Sequence, residues 1–449
     1  MPRELPGLYW DEEKQRYFPI SARPAGQVPQ PRAPQARSNA RAGPSIGRKH
    51  AKSPLYAGIS ADLVSADSAS ASRRRVKGRF ALSYGATNCA QIKRAQQQTM
   101  DHCVASLSEG KAFWHGDCDF TALHVSVVDD TLCGFTGDKQ GWLQTHATNP
   151  HGYPRGSLRK LSLGEEVSDF CQSGTLQVAV SFGSIGRMAV TDLADDSELW
   201  TVINIGNGLS CHDVRTAHLR GRSFVMGAAK RGIFLPDVQA NRGYTNLPTG
   251  SDVLSVHQLE NTIYTGARNG SIQCFDKRAK SQATGSDLLD GRHKSTTSSI
   301  THLNVLDDYK LLASTIRGDL DMFDLRFLRK GQPFLQFEGH VNEYTLKLGI
   351  ATSPYNDYLF AAGQDRHIRA WSLHTGHPIV SPNQSPPPSD PDLVNLSQAL
   401  PEPVVALQVT EGGGGGGASP DGMSLWAASG KQIFRYWLGQ RLDPIAMRY

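Results

Sequence analysis

Residues 270–281 read GSIQCFDKRAKS and residues 318–329 read GDLDMFDLRFLR. Each closes an alternating apolar run with Phe-Asp-x-Arg, so that Asp276 and Arg278 are repeated as Asp324 and Arg326. An arginine fork presents paired N–H donors that fit a carboxylate or two carbonyl oxygens on another molecule. The same dipeptide geometry also suits a local purpose, with the aspartate capping a turn and the arginine lying in solvent. One copy does not separate the two readings, but a second copy at a regular interval asks what larger repeat carries it.

Other candidate chemistry is thin. The Gly-rich stretches SFGSIG (181–186) and NIGNGLS (204–210) do not open helices, and no G-x-x-x-x-G-K-[ST] or G-x-S-x-G occurs. They read as turns. The fifteen histidines are dispersed, and His146 and His151 flank a loop without cysteine or carboxylate at ligand spacing. No catalytic residue, metal site or cofactor is therefore expected, and the chain is not read as an enzyme. The seven cysteines are odd in number and form no C-x-x-C pair, which fits neither a disulfide framework nor a zinc cage. A reducing compartment, nucleus and/or cytoplasm, is the expectation. No run of eighteen apolar residues is present, so no membrane span is expected, and the N-terminal residues lack the apolar core of a secretory signal.

The elements that must position the two Asp-x-Arg pairs are short strands. From about residue 101 the chain consists of alternating runs separated by Gly, Asn and Asp. One phrase recurs seven times: 141–148, 186–193, 231–238, 270–277, 318–325, 365–376 and 431–438. Its closing positions are Thr145, Thr191, Pro236, Phe275, Phe323, Trp371 and Tyr436, with spacings of 46, 45, 39, 48, 48 and 65. That period matches four short strands per repeat. The long last interval contains a Pro-rich stretch (377–392) and a polyglycine stretch (411–422), insertions of the kind surface loops tolerate. The expected fold is all-β, a seven-bladed propeller over 101–449, with an outer strand from residues near 101–114 completing the last blade and removing its open edge.

The N-terminal part differs in composition. Residues 21–80 hold twelve Arg and Lys against two Asp, a local charge of +10, while the whole chain is only +5. Few large apolar side chains occur there, too few to offset ordering entropy. The expected organisation is a short aromatic docking segment over 1–20, a disordered basic linker over 21–85, a helix-favouring stretch over 86–100, and the propeller. The basic tract SRRRVKGR (72–79) reads as a nuclear import signal or as plain tail charge. It lacks interleaved aromatics, so any nucleic-acid contact would be unspecific and salt-sensitive, and specific nucleic-acid binding is not expected.

Residues 339–372 resemble a WD repeat, with Gly339-His340 at the start, Asp365 in the tight turn and Trp371 closing the third strand. The resemblance makes His340, Asp365 and Trp371 structural blade residues. In that family a strand hydroxyl joins them in a buried hydrogen-bond chain, but here Ala361 and Ala362 stand in its place. Phe275-Asp276-Lys277-Arg278 and Phe323-Asp324-Leu325-Arg326 resemble the W/F-D-x-R box of WD-repeat substrate receptors of cullin-four ubiquitin ligases. ELPGLYWDEEKQRYFPI (4–20) is similar to the N-terminal segment of the DDB- and cullin-associated factor four group of such receptors. This stretch carries Leu5, Tyr9, Trp10, Tyr17 and Phe18, an apolar cluster fit to dock on the chain's own propeller or on a partner.

What these resemblances imply is a non-catalytic substrate-recognition subunit of a cullin-four RING ubiquitin ligase. It would dock to the DDB adaptor through Asp276, Arg278, Asp324 and Arg326 and hold an unidentified protein substrate. The alternative is a WD-repeat scaffold for another nuclear complex, in RNA processing or chromatin, with the Asp-x-Arg pairs as ordinary rim charges.

Overall fold

The computed structural model describes residues 8–11, 16–19, 98, 101 and 104 and, from 109 to 440, all but 129–130, 149–153, 196–199, 206–210, 241–242, 280–284, 290–297, 329–331, 381–392 and 412–421. They fall into two units that meet in sequence between Gly78 and Arg79. In the first, Leu8–Asp11 and Arg16–Pro19 form an antiparallel hairpin. The expected linker over 21–85 lies outside the described residues. So does the helix-favouring stretch over 86–100, apart from Gln98, whose backbone is helical.

The second unit is a seven-bladed β-propeller of antiparallel sheets. Blade 1 comprises Phe120–Val128, Thr131–Asp138, Trp142–Thr148 and Pro154–Ser162. Blade 2 comprises Val167–Ser173, Leu176–Ser181, Arg187–Asp192 and Thr201–Asn204. Blade 3 comprises Thr216–Arg220, Ser223–Ala228, Arg231–Leu235 and Thr245–Pro248. Blade 4 comprises Val253–Leu259, Thr262–Ala267, Ile272–Asp276 and Ser286–Asp287. Blade 5 comprises Ile300–Leu306, Lys310–Thr315, Leu320–Asp324 and Leu335–Gln336. Blade 6 comprises Ile350–Thr352, Tyr358–Ala362, Ile368–Ser372 and Pro378–Val380. Blade 7 begins with Val404–Glu411, Gly422–Ser429 and Gln432–Gln440. Glu109–His115 adds its fourth strand, and Val394–Asn395 pairs outside that.

All seven recurring phrases fall on third strands, with one adjustment. Pro236 lies just past the third strand of blade 3, because proline has no N–H to give to the ladder. The strand from near 101–114 that the sequence requires is Glu109–His115, paired with Gln432–Gln440. Its Trp114 stacks on Trp426 at 5.1 Å between centroids. A β-carbon at Gly110 would run into the ring of Tyr436, so only glycine admits that buried phenol. The additional strand Val394–Asn395 has no counterpart in the sequence reading.

Inner strands are sandwiched between neighbouring blades, which explains continuous apolar runs such as LQVAVS, whose Val178, Ala179 and Val180 have no exposed surface. The fourth strands face solvent, as in the exposed Thr201–Asn204. Blades approach closely: a β-carbon at Gly266 would lie 2.6 Å from Ile300 of the next blade. The first strands line a central cavity of about 770 Å³.

Candidate functional site

The third strand of blade 4 ends on Phe275-Asp276, and that of blade 5 on Phe323-Asp324. Alternation sends both phenylalanines inward, 3% and 5% exposed, and leaves both aspartates at the rim. Phe275 packs with Val225, Phe234 and Val253 of the preceding interface, and Phe323 with Tyr264, Leu303 and Leu311. The aromatic residue thus fixes the strand end, and the following turn inherits a defined direction.

The two turns have the same hydrogen bonds. Asp276 Oδ1 accepts from Arg278 N at 2.9 Å and Nε at 3.0 Å, and Asp276 Oδ2 accepts from Nη2 at 2.9 Å. Asp324 Oδ1 accepts from Arg326 N at 2.9 Å and Nε at 3.0 Å, and Asp324 Oδ2 accepts from Nη2 at 2.7 Å. Lys277 N donates to Asn261 O at 2.8 Å, and Leu325 N to Tyr309 O at 2.7 Å. Ala279 N and Phe327 N return to the carbonyls of Asp276 and Asp324. The pairs therefore occupy equivalent places on adjacent blades, on one rim. Their side chains stay in solvent, Arg278 at 72% and Arg326 at 55% exposure.

The pairing is electrostatic as well as geometric. The Arg278 guanidinium holds the Asp276 carboxyl down to about 2, and Arg326 lowers that of Asp324. Each arginine is raised in return. Using Nε–H and one Nη2–H leaves three of the five guanidinium donors free to reach outward.

Comparison with other blades separates the aspartate's task from the arginine's. Asp192 Oδ1 accepts from Ala194 N at 3.1 Å, and Asp237 Oδ1 from Gln239 N at 2.9 Å. The turn-capping aspartate is thus present on blades 2 to 5, and the turn folds without arginine. In blade 3 a guanidinium reaches the aspartate from a different turn, Arg222 lying 3.6 Å from Asp237. Among the described residues of these four blades only blades 4 and 5 take it from two positions after the aspartate, so capping does not account for it.

Their surroundings differ. The guanidinium of Arg326 lies 3.7 Å from the centroid of the Tyr309 ring and 5.8 Å from that of Phe327, which is 64% exposed. Asn261 and Ala279 hold the equivalent positions around Arg278. Phe327 stands in the quoted phrase, though nothing in the Asp-x-Arg pattern singles it out; Tyr309 lies two strands earlier, with no local signal linking it to Arg326.

The other singled-out residues belong to other elements. In the N-terminal hairpin the backbone register sets Tyr9 opposite Phe18 and Trp10 opposite Tyr17. Leu5 is outside the described residues. In blade 6 the ring nitrogens of His340 face the carbonyls of Gly318 at 3.3 Å and Ala362 at 3.0 Å. Trp371 Nε1 donates to Glu338 O at 2.9 Å. Asp365 turns to Arg369, at 3.0 and 2.6 Å. The three residues thus tie blade 6 together through backbone carbonyls and a separate ion pair.

The central cavity is the second concentration of polar groups. Lys347 precedes blade 6 and donates to the carbonyl of Ser168 in blade 2, three blades away, so its side chain crosses the channel. Asp169 lies beside it and attracts it. Burial lowers Lys347 and raises Asp169, while their attraction opposes both shifts. His124, His218, His257 and His302 also line the cavity. Burial pushes His124, His218 and His302 down to about 4, and His257 well below its ordinary value. These imidazoles are neutral at physiological pH and poorly matched to acid–base work there. Among the described residues no group of three or more His, Cys, Asp or Glu is placed to hold a metal ion.

Among solved structures, the chain resembles the WD40 beta propeller domain of Doa1, with a TM-score of 0.52 over 74% of this chain and 96% of that one, at 15% identity. This supports the fold. Among characterised sequences it is 30% identical over 177 residues to DDB1- and CUL4-associated factor 4 of Bos taurus and 30% over 176 residues to that of Homo sapiens. Each match covers 39% of this chain and 34% of the relative, about a third of its length. WD repeat-containing protein 21 of Schizosaccharomyces pombe is 26% identical over 138 residues, covering 30% of this chain and 32% of that protein. The model of the DDB1- and CUL4-associated factor 4 beta-propeller domain matches residues 174–413, more than half of the chain and including both Asp-x-Arg turns, and the chain belongs to that family.

Proposed function

We propose that this chain is a non-catalytic substrate-recognition subunit of a cullin-four RING ubiquitin ligase, docking to the DDB adaptor through Arg278 and Arg326. The observation that carries the reading is the pair of matching, solvent-facing guanidinium groups on adjacent blades, each oriented by its own carboxylate. The printed name of the relatives, DDB1- and CUL4-associated factor 4, supports the choice of partner. In this role the chain supplies proximity: tethering a protein substrate beside the ubiquitin-charged enzyme makes the transfer effectively intramolecular. The aromatic segment over 1–20 adds a docking element, and Arg73 to Arg75 contribute to nuclear import.

The test is affinity purification of the tagged chain from cells, followed by mass spectrometry. Recovery of the DDB adaptor and the cullin is expected. Reproducible recovery of an RNA-processing or chromatin assembly without them would replace this reading with the scaffold alternative.

A further inference from the structure

We infer that the two rim arginines are unequal, and that blade 5, through Arg326, Phe327 and Tyr309, is the principal anchor of the contact while Arg278 is peripheral. The inference rests on the adaptor-docking reading above and concerns how that surface divides its work.

The two turns share a backbone frame and differ in what surrounds the guanidinium. Arg326 is held on its edge by Asp324 and on its face by the Tyr309 ring, 3.7 Å away. Arg278 has the edge contact, with Asn261 where Tyr309 would stand. A side chain fixed on two sides has less freedom to lose on binding. The difference in exposure, 55% against 72%, follows the same order.

Apolar surface is also distributed unequally. Phe327 is 64% exposed directly after Arg326, whereas the corresponding residue after Arg278 is Ala279. Within the box itself Lys277 reaches over the Phe234 ring of blade 3, 5.8 Å from its centroid, and Leu325 packs against the core, so Phe327 is the apolar difference at the surface. A guanidinium next to exposed aromatic surface has the composition of an interface hot spot, and a solvent-exposed ion pair without that surface the composition of a rim. The surface of the adaptor that fits blade 5 would present a carboxylate or paired carbonyl oxygens for the three remaining N–H donors, beside an apolar depression for Phe327.

The experiment is a binding titration of the purified full chain on immobilised DDB adaptor, with Arg278→Ala, Arg326→Ala, Phe327→Ala and Tyr309→Asn compared with the unaltered protein. Phe327 and both arginine side chains are exposed, so these replacements leave the fold intact, which thermal melting checks. Tyr309→Asn keeps the backbone carbonyl and gives blade 5 the residue that blade 4 already has. Arg326→Ala and Phe327→Ala should each weaken binding about ten-fold or more. Arg278→Ala should weaken it about three-fold or less, and Tyr309→Asn should fall between. Equal losses for the two arginine variants, or undiminished binding by Phe327→Ala, would overturn the inference while leaving the docking reading in place. Failure of the unaltered protein to bind would overturn both.

Discussion

The guanidinium of Arg326 rests 3.7 Å from the ring centroid of Tyr309, whose own carbonyl oxygen accepts the N–H of Leu325 one residue before that arginine. One residue therefore supports both the backbone of the turn and the side chain it projects. The same backbone bond is made in blade 4 by Asn261, without the ring. Repetition of a phrase in sequence has produced two copies of one frame, and a difference in a neighbouring turn has given them different surfaces.

The carboxylates at the rim cap the turn and aim the arginine, and Asn can replace only the first of these. In the variant Asp276→Asn with Asp324→Asn, the amide oxygen can still accept the backbone N–H, but the charge is gone. Thermal stability should hardly change. Affinity for the adaptor should fall roughly two- to ten-fold, the range of exposed ion pairs. Unaltered affinity would show that the arginines need no tether.

Acid should weaken the fold well above the range in which carboxylates titrate. His124, His218 and His302 titrate near 4 when folded, against 6.5 when exposed, and burial also holds His257 well below its ordinary value. Between these values the unfolded chain binds more protons than the folded one, so stability declines as pH falls from about 6.5 towards 4. Nothing is lost above 6.5, where both states are neutral. Denaturant midpoints at pH 7.5 and 5.5 should differ by about 1 kcal/mol per imidazole, with a smaller difference in His302→Asn. Equal midpoints would place these rings in open water.

Lys347 and Asp169 attract each other in the central cavity without a direct ion pair. Replacing Lys347 with Met removes that attraction from Asp169 and the donor from Ser168 O, and the loss should be about 1–3 kcal/mol. Adding Asp169→Asn removes the stranded charge while keeping an acceptor for the N–H of Ala217, now 2.8 Å from the carboxylate. The double variant should therefore be more stable than Lys347→Met alone by chemical denaturation. A double variant no more stable than the single would mean that the lysine acts through its bond to Ser168 O alone.

Closure of the ring can be tested at Trp114. Its side chain is 2% exposed and stacks on Trp426, and its indole nitrogen has no hydrogen-bond partner. Trp114→Ala should cost about 3–5 kcal/mol. Trp114→Phe keeps much of the apolar contact and removes an unpartnered donor, so it should cost much less. Similar losses for both would contradict a packing role for this strand.

The legibility of the molecule follows the range of its interactions. The alternation that ends in Phe275 or Phe323 is a local consequence of burying every second side chain, and so the third strands could be read from the phrase. The strand Glu109–His115 could be anticipated because an open propeller edge leaves backbone groups unpaired. Lys347 reaching Ser168 could not, because 179 residues of chain separate partners that only ring closure brings together. Nor could Tyr309, whose ring meets Arg326 only once its turn is formed, whereas the four cavity histidines, 94, 39 and 45 residues apart, recur at close to two, one and one blade periods and so carried a signal in the sequence. Asp276 could be read as a turn cap, which the structure shows, but its pairing with the Arg278 guanidinium could not.

The central claim is tested most directly by isothermal titration of the purified DDB adaptor with the full chain and with its Arg278→Ala, Arg326→Ala double variant. Both proteins should melt cooperatively at the same temperature, and the double variant should show no measurable binding where the unaltered chain saturates. Saturation of the folded double variant with unchanged affinity would contradict adaptor docking through these two arginines.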